Sequence, residues 1–210
     1  MRNGSASQKI LKLVELSILV ALIVVLQVLG GSLPIGLIPL TFSLIPIVVG
    51  AMALGPKSGT ILGFAFGVVT LVMTPMNPVL VFLFQANPVC YVITALGKAT
   101  LAGLVAGLLY KGVDKLLKNK YKYASTLIAS ASVPIVNTGL FILGMFLFFF
   151  NSTSMLPEAF PQFFGGLNGS FQVIIIGLVG FNFIGEFIVN VVLSPAIARI
   201  VDVISKKIIK

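Results

Sequence analysis

Residues 88–110 read PVCYVITALGKATLAGLVAGLLY, and the twelve positions that follow, 111–122, read KGVDKLLKNKYK. An apolar block of 23 residues interrupted by one charge, Lys98, is long enough to cross a bilayer, which takes about 20. Lys111, Lys115, Lys118, Lys120 and Lys122 come directly after it. An apolar run that ends in a cluster of cations is the pattern of a transmembrane helix emerging on the cytoplasmic side.

Five further blocks repeat the theme: about Leu13 to Gly31, Leu37 to Leu54, Ser58 to Met73, Tyr123 to Phe150 and Phe171 to Ile200. The reading is therefore an all-α polytopic membrane protein, six helices in one bundle and a single domain over 1–210. Composition agrees. The 210 residues are 58% hydrophobic and only 9% charged, with a mean hydropathy of +1.15. Soluble domains carry roughly a quarter charged residues, so this chain has too few to clothe a water-facing surface.

Cations fix the expected orientation. Arg2, Lys9 and Lys12 precede the first block, Lys57 lies between the second and third, and Arg199, Lys206, Lys207 and Lys210 close the chain. With the 111–122 cluster, all of these fall on one side. The opposite connections, 32–36, 74–87 and 151–170, hold no Lys or Arg and one acid, Glu158. Both termini are expected to be cytoplasmic. A cleavable signal peptide competes for the first block, but no small-residue cleavage site precedes Gly30-Gly31-Ser32, so a retained helix is expected. The net charge of +9 is distributed as short runs between apolar blocks, which argues for topology and against a nucleic-acid groove.

Several chemistries are excluded by residue type. The chain has no His and one Cys, Cys90, so zinc sites, thiol pairs and His-based acid–base catalysis lack their usual groups, and no metal, cofactor or catalytic set is expected. No P-loop or G-x-S-x-G is present. The connections opposite the cations are unusual in another way. Val79–Phe84 and Phe160-Pro161-Gln162-Phe163-Phe164 put apolar side chains where water is expected, which suits either a lid over a pocket or shallow insertion into the interface.

Charges inside the apolar blocks carry the functional signal. Lys98 is 13 residues from Lys111, and Glu186 is 13 from Arg199, each about 20 Å along a helix that rises about 1.5 Å per residue. Asn137, 15 residues from Lys122, reaches the same layer at about 22 Å. Asn182, Glu186 and Asn190 recur every four residues and so form one stripe of a helix. Buried charges at that depth are either a structural ion pair or part of a ligand site, and Asn190 is equally readable as helix–helix glue. Small residues at spacing four, Gly55/Gly59/Gly63/Gly67 and Gly103/Gly107, permit close helix packing, as does the pair Ser17 and Ala21.

At Ile38-Pro39-Leu40-Thr41-Phe42-Ser43-Leu44-Ile45-Pro46, then Gly55-Pro56-Lys57-Ser58-Gly59 and Leu62-Gly63-Phe64-Ala65-Phe66-Gly67, the chain resembles the S components of energy-coupling factor (ECF) vitamin transporters. The segment from Asn182-Phe-Ile-Gly-Glu186 to Leu193-Ser194-Pro195 is similar as well. The resemblance implies a membrane subunit that captures a vitamin outside the cell, in the plasma membrane, one copy per complex with a membrane coupling subunit and two ATPases. It implies docking through an Ala-xxx-Ala-like pattern on the first helix, here Ser17 and Ala21. It also implies a site in the outer halves of helices four to six under the outer loops, which on this chain points to Leu33, Ile38, Gln85, Asn87, Lys98, Asn137, Gln172, Asn182 and Glu186.

Among ligands, the family's riboflavin pattern Asn-x-x-Lys is broken here by Gly185, the Trp used for thiamine is missing, and the Met-His hook for metal ions has no His. Pantothenate is the favoured expectation, its carboxylate at Lys98 and its polar arm on Asn137, Asn182 and Gln172. Folate, riboflavin, queuosine precursors and cobalamin stay open. A stand-alone ion-coupled carrier with a Lys98–Glu186 relay, and a purely structural membrane protein, are the alternatives.

Overall fold

The computed structural model describes residues 2–31, 42–117 and 121–209, and among them all regular structure is helical. The chain runs α1 (Arg2–Gly31), α2 (Leu44–Ala53), α3 (Pro56–Met73), a 3₁₀ turn (Thr74–Met76), α4 (Pro78–Ala86), α5 (Pro88–Leu116) and α6 (Lys122–Phe148). Four short helices follow, α7 (Phe150–Thr153), α8 (Leu156–Ala159), α9 (Pro161–Phe164) and α10 (Gly169–Gln172). A π-helical stretch (Val173–Gly180), α11 (Phe181–Val192) and α12 (Ser194–Ile209) complete it.

Five helical segments are long and apolar enough to cross a membrane: Gln8–Gly30, Pro56–Met76, Pro88–Leu116, Lys122–Phe148 and Gly169–Val192. The sixth expected block, 37–54, is described from 42 onward, where it forms the ten-residue α2. Eight of those ten residues are buried, so α2 is apolar all round because protein surrounds it. The expected last block, 171–200, is not one helix: the first helix closes at Leu193 and α12 starts at Ser194, with Pro195 in its first turn. Lys122 Nζ meets Asp202 Oδ1 at 3.0 Å and ties α12 to the start of α6.

Proline and asparagine set the boundaries. Pro56 opens α3 behind Gly55, whose φ of 100° lies in the left-handed region that a side chain disfavours. The connection 74–87 is mostly the helix α4. Asn77 Oδ1 accepts the N–H groups of Val79 and Leu80 at 3.0 and 3.2 Å, and Pro78 occupies the first turn. Asn87 Oδ1 accepts Cys90 N–H at 3.1 Å in front of Pro88. Two consecutive Asn-Pro caps therefore start two helices in succession.

The glycine stripes of α3 and α5 face each other. A Cβ placed on Gly63 would run into the backbone of Ala99 and Thr100, one on Gly67 into Ala95 and Leu96, and one on Gly103 into Gly59. These antiparallel helices touch backbone to backbone, a contact only the smallest residues allow. The small pair on α1 is different: Ser17 and Ala21 lie on its exposed face among Leu13, Ile18, Leu22 and Val25.

Two apolar cores result. One joins Leu19 and Ile23 of α1, most of α2, Leu62 and Phe66 of α3, Ala99, Ala102 and Ala106 of α5, Val133 of α6, and Ile197 and Val201 of α12. The other joins Val79 and Leu83 of α4, Tyr91 and Ala95 of α5, Phe141, Met145 and Phe149, Leu156, Phe164, and Val173, Ile174 and Leu178 of the π-helical stretch. The first core lies toward the lysine-rich end of the bundle, and the second lies toward the end that carries α4 and α7–α10.

Candidate functional site

The polar residues of the membrane interior sit at the seam between these cores. On α5, Ala95 belongs to one core and Ala99 to the other, with Lys98 between them. On α6, Val133 and Phe141 bracket Asn137 in the same way. Asn182, Glu186 and Asn190 occupy the matching interval between Leu178 and Ile197.

Contacts link the three helices. Lys98 Nζ lies 4.7 Å from the centroid of the Phe141 ring and interacts electrostatically with Glu186. Glu186 is 1% exposed, and its Oε1 accepts a hydrogen bond from Asn182 Nδ2 at 3.2 Å. Asn190 Nδ2 donates to the backbone carbonyl of Glu186 at 2.8 Å, a bond within α11 that joins no second helix. Asn137, 5% exposed, is one turn before Phe141 on the α6 face that carries the contact to Lys98. Asn137 Oδ1 and Asn182 Oδ1 are both buried with no hydrogen-bond partner among the described residues. Buried acceptors in that state are rare and call for a ligand or water.

Above this layer the connections close the end of the bundle. Leu83, Phe149, Leu156 and Phe164 are fully buried. Phe82 packs edge-on against Phe160 at 5.9 Å, and Phe84 against Tyr91 at 5.7 Å. Thr74 Oγ1 and Tyr91 OH are hydrogen-bonded at 3.0 Å, and Ser170 Oγ donates to the Phe150 carbonyl. Gly177 gives Phe164 its place, since a Cβ there would stand 2.8 Å from the ring. The inward side chains of these connections pack onto the end of the bundle, while Met76, Met155, Phe163 and Phe171 stay exposed, so the packing is compatible with a lid and with shallow interfacial insertion alike. The run 148–150 divides accordingly: Phe149 points in, while Phe148 and Phe150 are exposed.

The remaining expected site residues lie elsewhere. Gln85 is exposed on α4, and Asn87 is occupied as the cap of α5. Gln172 is exposed, its Oε1 accepting the N–H of Asn168 at 2.8 Å. Leu33 and Ile38 lie outside the described residues. Sequence reasoning missed Phe141, whose signal was its position four residues after Asn137, and it missed the π-helical stretch that precedes Asn182. Such wide turns recur at functional sites, and here Gly177 and Gly180 were the visible hint.

Among curated proteins, none matches this chain. The family profile described as ECF transporter, substrate-specific component, matches residues 11–198, nine-tenths of the sequence, from within α1 to the start of α12. With its helical, membrane-spanning fold, the chain belongs to the substrate-specific components of ECF transporters.

Proposed function

We propose that this subunit captures a water-soluble vitamin at the Lys98–Asn137–Asn182–Glu186 layer and hands it inward with a membrane coupling subunit and two ATPases. The observation that carries the reading is the pair of buried acceptors, Asn137 Oδ1 and Asn182 Oδ1, in the layer that also holds Lys98 and Glu186, beneath apolar connections. In this reading the termini are cytoplasmic, the lid faces outward in the plasma membrane, and no chemistry is done on the ligand.

The exposed Ser17–Ala21 pair supports docking through α1. Other small-residue stripes are consumed inside the subunit, whereas this one remains available for another helix in the membrane. Family membership also favours energy borrowed from ATPases over a stand-alone Lys98–Glu186 relay. Pantothenate, favoured from sequence, would place its carboxylate on Lys98. Glu186 already meets that ammonium electrostatically, so the geometry supports vitamin capture better than it supports this particular vitamin.

A thermal-shift screen of the purified subunit against water-soluble vitamins tests the proposal. A ligand at 100 times its Kd adds about 2.7 kcal/mol to stability. One compound raising the melting temperature supports capture; a folded protein that no vitamin shifts argues against it.

A further inference from the structure

The interior of the bundle contains one cation and one anion between residues 58 and 110 and between 171 and 198, namely Lys98 and Glu186. They interact electrostatically, and the Phe141 ring face lies against the ammonium at 4.7 Å. The layer is thus formally neutral before any ligand arrives. A ligand carboxylate entering it would give the layer a net negative charge, and burying a charge without a counter-charge is costly.

Two buried side-chain amide oxygens of this layer, those of Asn137 and Asn182, are unmet acceptors. A carboxylate oxygen only accepts, so the 3.2 Å contact from Asn182 to Glu186 Oε1 must use the Asn182 NH₂, and its Oδ1 is turned away as an unpartnered acceptor. Asn137 Oδ1 is a second such acceptor from the facing helix. Both require hydrogen-bond donors.

Resting on the capture reading above, we infer that this site recognises its ligand by N–H or O–H donors presented to Asn137 and Asn182, and not by an anionic group. The substrate class is a neutral or cationic donor-bearing compound, or an acid whose carboxylate contributes little to affinity.

Matched pairs test this with the purified subunit: pantothenate and pantothenol, nicotinate and nicotinamide, biotin and biotinamide, with riboflavin, pyridoxine and thiamine alongside. The expected result is that the tightest ligand is neutral or cationic, or is an acid whose neutral counterpart binds within tenfold. An acid preferred by more than tenfold over its neutral counterpart overturns the inference while leaving capture intact. Absence of binding by every compound to the folded protein removes the capture reading and this inference with it. Asn137→Leu and Asn182→Thr, each verified as folded by its melting curve, are expected to weaken the best ligand at least tenfold. Unchanged affinity in both variants also overturns the inference.

Discussion

Lys98 on α5 and Phe141 on α6 meet with the ammonium 4.7 Å from the ring centroid, at the seam where the two apolar cores of the bundle join. Glu186 lies within electrostatic reach of the same ammonium from α11. One cation thereby connects three helices, and its removal has consequences on all of them.

Glu186→Gln leaves Lys98 without its counter-charge in the interior. Leaving a buried cation without the opposing charge within its reach is destabilising, so a drop in melting temperature is expected. The double variant Lys98→Met/Glu186→Gln should regain more than half of the loss, because no lone charge remains. Equal and additive losses would show that the two groups do not interact.

Gly63→Ala tests the helix contact beneath the layer. The new methyl meets the Ala99 backbone, which cannot rotate away, and overpacking of this kind costs about 1–3 kcal/mol. Gly139→Ala is the control: a Cβ there has open space within 4 Å, and the helix interior gains up to about 1 kcal/mol. Melting temperatures that move in the same direction for both would contradict the packing described.

Two neighbouring phenylalanines separate lid from surface. Phe164 is fully buried, whereas Phe163 is 49% exposed. Phe164→Ala is expected to cost about 3–5 kcal/mol, and Phe163→Ala less than about 1 kcal/mol. Similar losses in a denaturation experiment would mean that the segment does not close the bundle as a lid.

Leucines at both Ser17 and Ala21 should leave folding and ligand affinity unchanged, since both positions are exposed. The same variant should fail to co-purify with the membrane coupling subunit. Normal assembly would place the docking surface elsewhere.

Depth counting from the cationic flanks located the polar layer because helical rise is nearly constant. Lys98, Asn137 and Glu186 were each 13–15 residues from a lysine or arginine, and the structure sets all three at one seam. Depth says nothing about azimuth, however. Gln85 and Gln172 stand near the right end of the bundle but on exposed faces, and Asn87 is used by its own helix as a cap. The Asn77-Pro78 and Asn87-Pro88 pairs carry the cap signal, and counting 74–87 only as a connection between spans hid α4. Hydropathy alone could not separate α11 from α12, because the break at Leu193 is made by the Ser194-Pro195 start of a new helix inside a continuous apolar run. The short α2 illustrates the same ambiguity: full burial in protein and contact with lipid demand the same side chains.

Equilibrium dialysis of radiolabelled water-soluble vitamins against the purified subunit, with no other transporter component present, addresses capture most directly. Saturable binding of one vitamin, one molecule per chain, and its loss in Asn137→Leu is the expected result. A folded subunit that binds none of them, or that by itself drives vitamin uptake into liposomes under a pH gradient, would contradict it.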